Sequence, residues 1–279
     1  MAQNTRKMTV VVTGSSGRTG RRVAEAARAA GLTVREASRT RGFDWRDRST
    51  WADTLRGADG AYLVYPPDVG SPEAALAVGL LAHEAVSLGV RRLVLLSSRG
   101  EEAARPTEEA LRESWADWTV VRAAWFAQNF SEGPLVEGLR ESGELVFPGG
   151  EVREPFIDVR DIADVVVAVL TAEDDRYVGR ALAITGPRLL TFGEAVAEIA
   201  AATGRALTYR PVPAREYGEH LAGSGVPAEE VEFLVDLFES LLDGRNSYLT
   251  DGVREVLGRA PRDFADFARE GAAAGVWKR

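Results

Sequence analysis

The residues with the clearest chemistry form one run, Thr13-Gly14-Ser15-Ser16-Gly17-Arg18-Thr19-Gly20. It lies between the apolar stretch Met8 to Val12 and a helix-period stretch that begins at Arg18. Glycines at this spacing between a strand and a helix suit a phosphate-bearing ligand. Gly14 permits a tight turn off the strand, Gly17 lets bare backbone approach a pyrophosphate, and Gly20 lets the helix pack closely on the strand. The helix start adds free N–H groups and the positive end of its dipole. The next strand-like run ends Ala37-Ser38-Arg39, with no acid at its tip. An acid there would bond a ribose 2′-hydroxyl. Arg39 can instead pair a 2′-phosphate in bidentate fashion, with Ser38 adding a further bond. The pattern therefore points to a nicotinamide dinucleotide, and to NADPH over NADH.

Other chemistries are excluded or disfavoured by what the 279 residues lack. There is no cysteine, so there is no disulfide, thiolate nucleophile or Cys-ligated zinc. The two histidines, His83 and His220, are far apart in sequence and make no metal-ligand cluster. His83 reads as a packing or surface residue within a helix, and His220 as a surface residue. The only lysines are Lys7 and Lys278, so no internal lysine can act in a central site. A net charge of −8 repels phosphate backbones and argues against nucleic acid. Residues 1–7 are short and polar, no signal-type apolar region surrounds Met8 to Val12, and no run of about 18 apolar residues could span a membrane. A soluble, cytoplasmic chain is the expectation, as a monomer or homodimer.

The elements that must position these residues follow from periodicity. Strand-sized runs at Met8–Thr13, Leu32–Ser38, Ala61–Tyr65, Arg92–Ser97 and Thr119–Arg122 alternate with helix-period stretches at Arg18–Ala30, Thr50–Leu55, Pro72–Leu88 and Thr107–Ser114. Such alternation predicts an α/β fold, a Rossmann-type doubly wound parallel sheet with helices on both faces. After Trp125 the pattern loosens. Leu145–Phe147 and Pro155–Val159 read as extended, Asp161–Leu170 as a helix, and Ala181–Thr185 as a strand. Thr191–Thr203 reads as a helix whose Thr191 and Glu194 form a capping box. Pro227–Asp243 is amphipathic, with Val231, Leu234, Val235, Phe238, Leu241 and Leu242 on one face that suits a lid, a dimer surface or plain core, core being the first choice, and Phe264–Glu270 is a short final helix. The expected division is a dinucleotide-binding domain over 1–150 and a smaller C-terminal α+β substrate lobe over 151–279, interleaved with it. Asp158 and Asp161 read as turn and helix-cap residues.

Several segments together resemble the NmrA-like atypical short-chain dehydrogenase/reductases, with the ergot-alkaloid festuclavine/agroclavine dehydrogenase type the most similar branch. They are TGSSGRTG, ASR, FDWRDRSTW, GADGAYLVYPP, RRLVLLSSRG, DWTVVRAAWFAQNF, PFIDVRDIADVVVAVL and the closing RDFADFARE. The resemblance implies that Gly14, Ser16, Gly17, Arg18, Thr19 and Gly20 hold the pyrophosphate and that Arg39 meets the 2′-phosphate. It implies that Asp44 and Trp45 flank the adenine and that Tyr65 and Pro66 contact the ribose. Ser97 and Ser98 would lie beside the nicotinamide, and Trp125, Phe126, Asn129 and Phe130 would build the substrate pocket.

One departure bears on the reaction. The wider superfamily uses a Tyr-x-x-x-Lys pair, and none of the six tyrosines here is followed four residues later by lysine. Gly100 and Ala104 fall near those two positions. Hydride addition to a ketone makes an alkoxide, whose conjugate acid has a pKa near that of water, about 15.7, and such a step wants a positioned acid. An iminium cation becomes a neutral amine and needs none, while a quinone gives a phenolate-like anion of pKa about 10. The expectation is therefore reduction of an activated acceptor (iminium, quinone or enone) on an apolar aromatic or polycyclic small molecule. Ser97, Ser98 or Tyr65 would act beside the reacting atoms. The alternative, in another functional class, is a cofactor-sensing regulator of the NmrA type that performs no catalysis.

Overall fold

Six strands make one parallel sheet in the order β2-β1-β3-β4-β5-β8 in the computed structural model, which describes residues 7–278. The polar stretch 1–7 lies, but for Lys7, outside the described residues. In chain order the elements are β1 (Thr9–Thr13), α1 (Arg18–Ala29), β2 (Thr33–Ala37), α2 (Trp51–Leu55), β3 (Gly60–Leu63), α3 (Ala74–Ser87), β4 (Arg92–Ser98), α4 (Arg105–Arg112) and β5 (Asp117–Ala123). There follow α5 (Pro134–Glu141), β6 (Glu144–Phe147), β7 (Arg153–Glu154), α6 (Val159–Leu170) and β8 (Arg180–Ile184). The last are β9 (Leu190–Thr191), α7 (Phe192–Thr203), β10 (Thr208–Pro211), α8 (Ala214–Gly223), α9 (Ala228–Leu241), α10 (Gly252–Leu257) and α11 (Phe264–Ala273).

The chain divides into two compact units. The first comprises the described residues up to Ala123, Val159–Ile184 and Gly252–Arg259, and the second comprises Ala124–Asp158, Thr185–Asp251 and the chain from Ala260. Residues 124–150, read from the sequence as the end of the first part, belong to the second unit. Their aromatic side chains pack with those of later elements: Phe130 and Phe147 both join Phe192.

In the first unit α2, α3 and α4 cover one face of the sheet, burying Trp51, Leu55, Leu81 and Leu111 on Val11, Leu63, Leu93 and Leu95. On the other side α1 packs on α6, and α6 on α10. The inner strands β1, β3, β4 and β5 are buried on both faces along most of their length and read as apolar runs, whereas the edge strands β2 and β8 are only partly buried. α1 ends where its periodicity stops. Gly31 adopts φ +82°, and the Leu32 N–H reaches back to the Ala27 carbonyl at 3.0 Å, closing a Schellman turn. The strand order reverses beside β1, with β2 on one side and β3 on the other. Open parallel sheets bind ligands outside the strands' carboxyl ends at such a point.

In the second unit the predicted capping box is present. Thr191 Oγ1 accepts the Glu194 N–H at 3.0 Å, and Glu194 accepts the Thr191 N–H at 2.8 Å. Pro155–Val159 forms no regular strand, only an isolated bridge between Ile157 and Phe126, and Val159 already begins α6. The α9 face corrects the expectation of a core helix. Of the residues in that helix only Leu241 is buried. The neighbour of α9 is α8, where a Cβ on Gly218 would fall 2.7 Å from Val235. A short polar helix cannot cover the whole apolar stripe.

Candidate functional site at the carboxyl ends of the sheet

The glycine loop has its shape because side chains are excluded from it. Gly14 takes φ +57°, and a Cβ there would fall 2.6 Å from Val64. A Cβ on Gly20 would fall 2.2 Å from the Gly14 carbonyl oxygen, so α1 can begin under the turn only if residue 20 is glycine. Thr13 ties the turn to the next strand: its hydroxyl donates to the Tyr62 carbonyl at 3.1 Å and accepts the Val64 N–H at 2.8 Å. The buried Tyr62 hydroxyl donates to Thr19 at 3.0 Å, and burial holds this phenol well above its ordinary pKa. Ser16 and Gly17 are exposed. Gly17 caps α1 with no side-chain hydrogen bond, and no acid occupies the first turn of this 12-residue helix. Its leading N–H groups and positive dipole end therefore face outward, uncompensated by a local carboxylate.

At the end of β2, Ser38 is nearly buried and lies 3.1 Å from the Thr40 hydroxyl. Arg39 is exposed and has no carboxylate partner among the described residues. The acid of this strand, Glu36, is engaged elsewhere, at 2.5 Å from Arg28 and 3.6 Å from Arg41, and those guanidinium groups lower its pKa, the Arg28 hydrogen bond foremost. Asp44 uses a side-chain oxygen to accept the Arg46 N–H at 2.9 Å. Trp45 is core: it donates to the Val64 carbonyl at 3.1 Å and packs edge-on against Phe43, Trp51 and Tyr65. Tyr65 is buried apart from 7% of its surface, and burial raises its pKa. Pro66, joined to Pro67 by a cis peptide, is exposed.

The two serines at the end of β4 differ. Ser97 is buried and donates to Glu108 Oε1 at 2.7 Å. Glu108, on α4, is also gripped by Arg122 of β5 through two bonds of 2.9 and 2.5 Å. Ser97 is thus committed to holding the buried Glu108 of this ion pair, and the Glu108 hydrogen bond keeps Arg122 more basic than usual. Ser98, on the opposite face of the strand, is only half-buried. Three residues on, Glu101 is 94% enclosed (6% exposed), and neither carboxyl oxygen sits in a hydrogen bond of good geometry. Its carboxyl lies against Gly70, where a Cβ would fall 2.0 Å from Oε1. Burial first, then Asp68, pushes its pKa up to about 8, while Ser98 opposes the shift.

Tyr62, Glu101, Glu108 and Arg122 were not singled out from the sequence. The available signal was an acid just beyond the strand-ending SSR, beside the positions where the Tyr and Lys of the wider superfamily are missing.

In the second unit Trp125 is half-buried, edge-on to Phe147 and Phe192 at 5.8 Å and tilted on Phe238 at 6.0 Å. Its indole N–H is buried and unpartnered. Phe126 and Asn129 are also half-buried. Phe130 is not placed to line a pocket: it is fully buried among Phe156, Phe192 and Phe264, and its carbonyl accepts the Trp277 N–H at 2.7 Å. Asp158 is buried and accepts Gln128 at 3.0 Å. Within the first unit, Asp161 is paired with Arg259 at 2.7 Å. Among the described residues no cluster of His, Asp or Glu could hold a metal, and no helix is long and apolar enough to cross a membrane.

No family model matches the chain. Among curated relatives it is 31% identical to the uncharacterized oxidoreductase YesF of Bacillus subtilis (strain 168), over 95% of each chain. It is 31% identical to an agroclavine dehydrogenase of Claviceps purpurea, over 96% of this chain and 98% of that one. It is 30% identical to the NAD(P)H azoreductase of Xenophilus azovorans, over 90% and 88%. Among solved structures, the Citrobacter sp. triphenylmethane reductase complexed with NADP(H) shares the fold, with TM-score 0.74 at 18% identity over 95% of this chain and 99% of that one. The chain belongs to the NmrA-like atypical short-chain dehydrogenase/reductases. Within that class it is an NAD(P)H-dependent oxidoreductase that lacks the Tyr-x-x-x-Lys pair.

Proposed function

We propose that the protein is an NADPH-dependent reductase of an activated acceptor, an iminium, quinone or enone, on an apolar aromatic or polycyclic small molecule of secondary metabolism. The observation that carries the cofactor choice is the exposed Arg39 at the end of β2, free of any carboxylate partner among the described residues. In an NAD-selective site an acid stands there.

The first unit fits a dinucleotide. The turn over Gly14 and Gly20 leaves no room for a Cβ, and the uncapped start of α1 is suited to an anion. In this reading Ser16, Gly17, Arg18 and Thr19 hold the pyrophosphate with those two glycines. Ser38 and Arg39 take the 2′-phosphate. Asp44, Trp45, Tyr65, Pro66 and Ser97 shape the loops and strand ends around the remaining groups. When bound, the cofactor supplies the hydride. Ser98, the half-exposed serine of the pair, orients the acceptor or carries a proton to it, Tyr65 is the second donor, and Ser97 keeps the end of β4 in place through Glu108. Trp125, Phe126 and Asn129 offer the acceptor an aromatic and polar surface. The 30–31% identical relatives reported above carry oxidoreductase names, which supports a reductase over a sensor.

Fluorescence titration with NADPH and NADH tests the assignment. Arg39→Ala should weaken NADPH by about 10- to 100-fold, equivalent to roughly 1.5–3 kcal/mol of charge-assisted bonding, and leave NADH unchanged. Equal affinities in the unaltered protein, or a retained preference in the variant, would overturn it.

A further inference from the structure

We propose that Glu101 supplies the proton that completes the reduction, passing it through the Ser98 hydroxyl. This rests on the reading that the carboxyl end of β4 lies at the reacting centre.

Three features of the geometry converge on this role. The carboxyl of Glu101 is enclosed, with 6% of the residue exposed and both oxygens buried without a well-formed hydrogen bond. A buried carboxylate without a well-formed hydrogen bond is strongly disfavoured, so the stable form is the neutral acid, which carries a transferable proton. The charged groups acting on it are Asp68, from the loop after β3, and Glu108, from α4, and both are negative. Finally, Ser98 ends β4 three residues before Glu101, is half-exposed, and holds the acid's pKa down, an effect that requires its hydroxyl to be near the carboxyl.

The arrangement replaces the missing Tyr–Lys pair with different chemistry. A Tyr–Lys pair lowers the pKa of a phenol. Here burial raises the pKa of a carboxyl until it is an acid at neutral pH. For an enone, hydride arrives at the β-carbon and the electron pair of the C=C bond moves to the carbonyl oxygen as an enolate. The enolate takes the Ser98 proton, and Ser98 takes the proton of Glu101. Glu101 is left as a carboxylate and regains its proton from solvent past the half-exposed Asp68. The cofactor is oxidised, the acceptor gains one hydride and one proton, and the charges balance. An iminium acceptor uses the same hydride and no proton.

The test compares wild type, Glu101→Gln and Glu101→Asp. The cofactor-free protein is titrated first by infrared difference spectroscopy. A protonated-carboxyl band absent from Glu101→Gln should persist through neutral pH and disappear as pH rises through about 8. NADPH affinity is then measured by fluorescence, followed by turnover of a cyclic enone and a cyclic iminium ion. Glu101→Gln should lower kcat on the enone at least tenfold more than on the iminium ion, with KM changed less than threefold. Its loss should abolish the fall in enone turnover above about pH 8, and Glu101→Asp should restore part of the rate. A carboxyl that titrates in the ordinary acid range, or equal losses on the two acceptors, overturns the proposal. Failure of the wild type to bind NADPH while the infrared band behaves as described would instead overturn the reductase reading on which it rests.

Discussion

The carboxyl ends of the first unit's sheet and the aromatic cluster of the second unit are built by opposite means. In the first, backbone comes first: Gly14 and Gly20 are demanded by a turn that leaves no space for a Cβ, and polar side chains then occupy strand ends. In the second, side chains come first: Phe130, Phe147, Phe156, Phe192 and Phe264 interlock with ring centroids 4.9–5.9 Å apart, and short strands and helices settle around them. A substitution in the first region should therefore alter binding before it alters folding. In the second it should do the reverse.

The largest expected effect is on the second region's stability. Phe130→Ala removes a fully buried ring that meets three others. Truncations of this kind remove about 3–5 kcal/mol, measurable as a fall in the urea midpoint. A loss under about 1 kcal/mol, small on that scale, would show the ring to be loosely held and would return Phe130 to the pocket lining. Next comes Gly20→Ala. The added methyl would meet the Gly14 carbonyl at 2.2 Å, backbone against backbone, so the turn must open. NADPH affinity should fall by a factor of about 100 or more, roughly 2.7 kcal/mol or more, while the far-UV spectrum stays native-like. Normal affinity would mean that the loop only packs.

The same contrast explains what the sequence could disclose. The loop, the β-α alternation and the Thr191–Glu194 box depend on residues a few positions apart, so local spacing reveals them. Glu101 depends on Gly70 and Asp68, about 30 positions away, and nothing in its own neighbourhood announces its burial. Phe130 reads as pocket lining because aromatic residues after a strand look alike until their partners are known. α8 begins after Pro213 with no side-chain cap, as α9 does after Pro227, but its sequence AREYGEHLAG carries no apolar stripe to read. The stripe of α9 gave the right helix but the wrong burial, because amphipathicity shows which face is apolar and not how fully a neighbour covers it.

The smallest predicted effect bears on the one residue of the second unit that combines both styles of construction. Trp125 packs edge-on among Phe147, Phe192 and Phe238, yet its indole N–H is buried without a partner. Leaving such a donor unsatisfied costs roughly 1–3 kcal/mol, a burden that packing alone does not require. Trp125→Phe keeps an aromatic ring and deletes the donor. If the N–H serves an oxygen or nitrogen of the acceptor, the variant should fold with equal or slightly higher stability. Its KM for that acceptor should rise about tenfold, roughly 1.4 kcal/mol, and kcat should change little, because a contact made equally in ground and transition states affects binding alone. Trp125→Ala should raise KM further and also lower stability. Should Trp125→Phe leave KM untouched while Trp125→Ala destabilises, the indole is a packing residue like Phe130. The acceptor-binding role would then pass to Phe126 and Asn129.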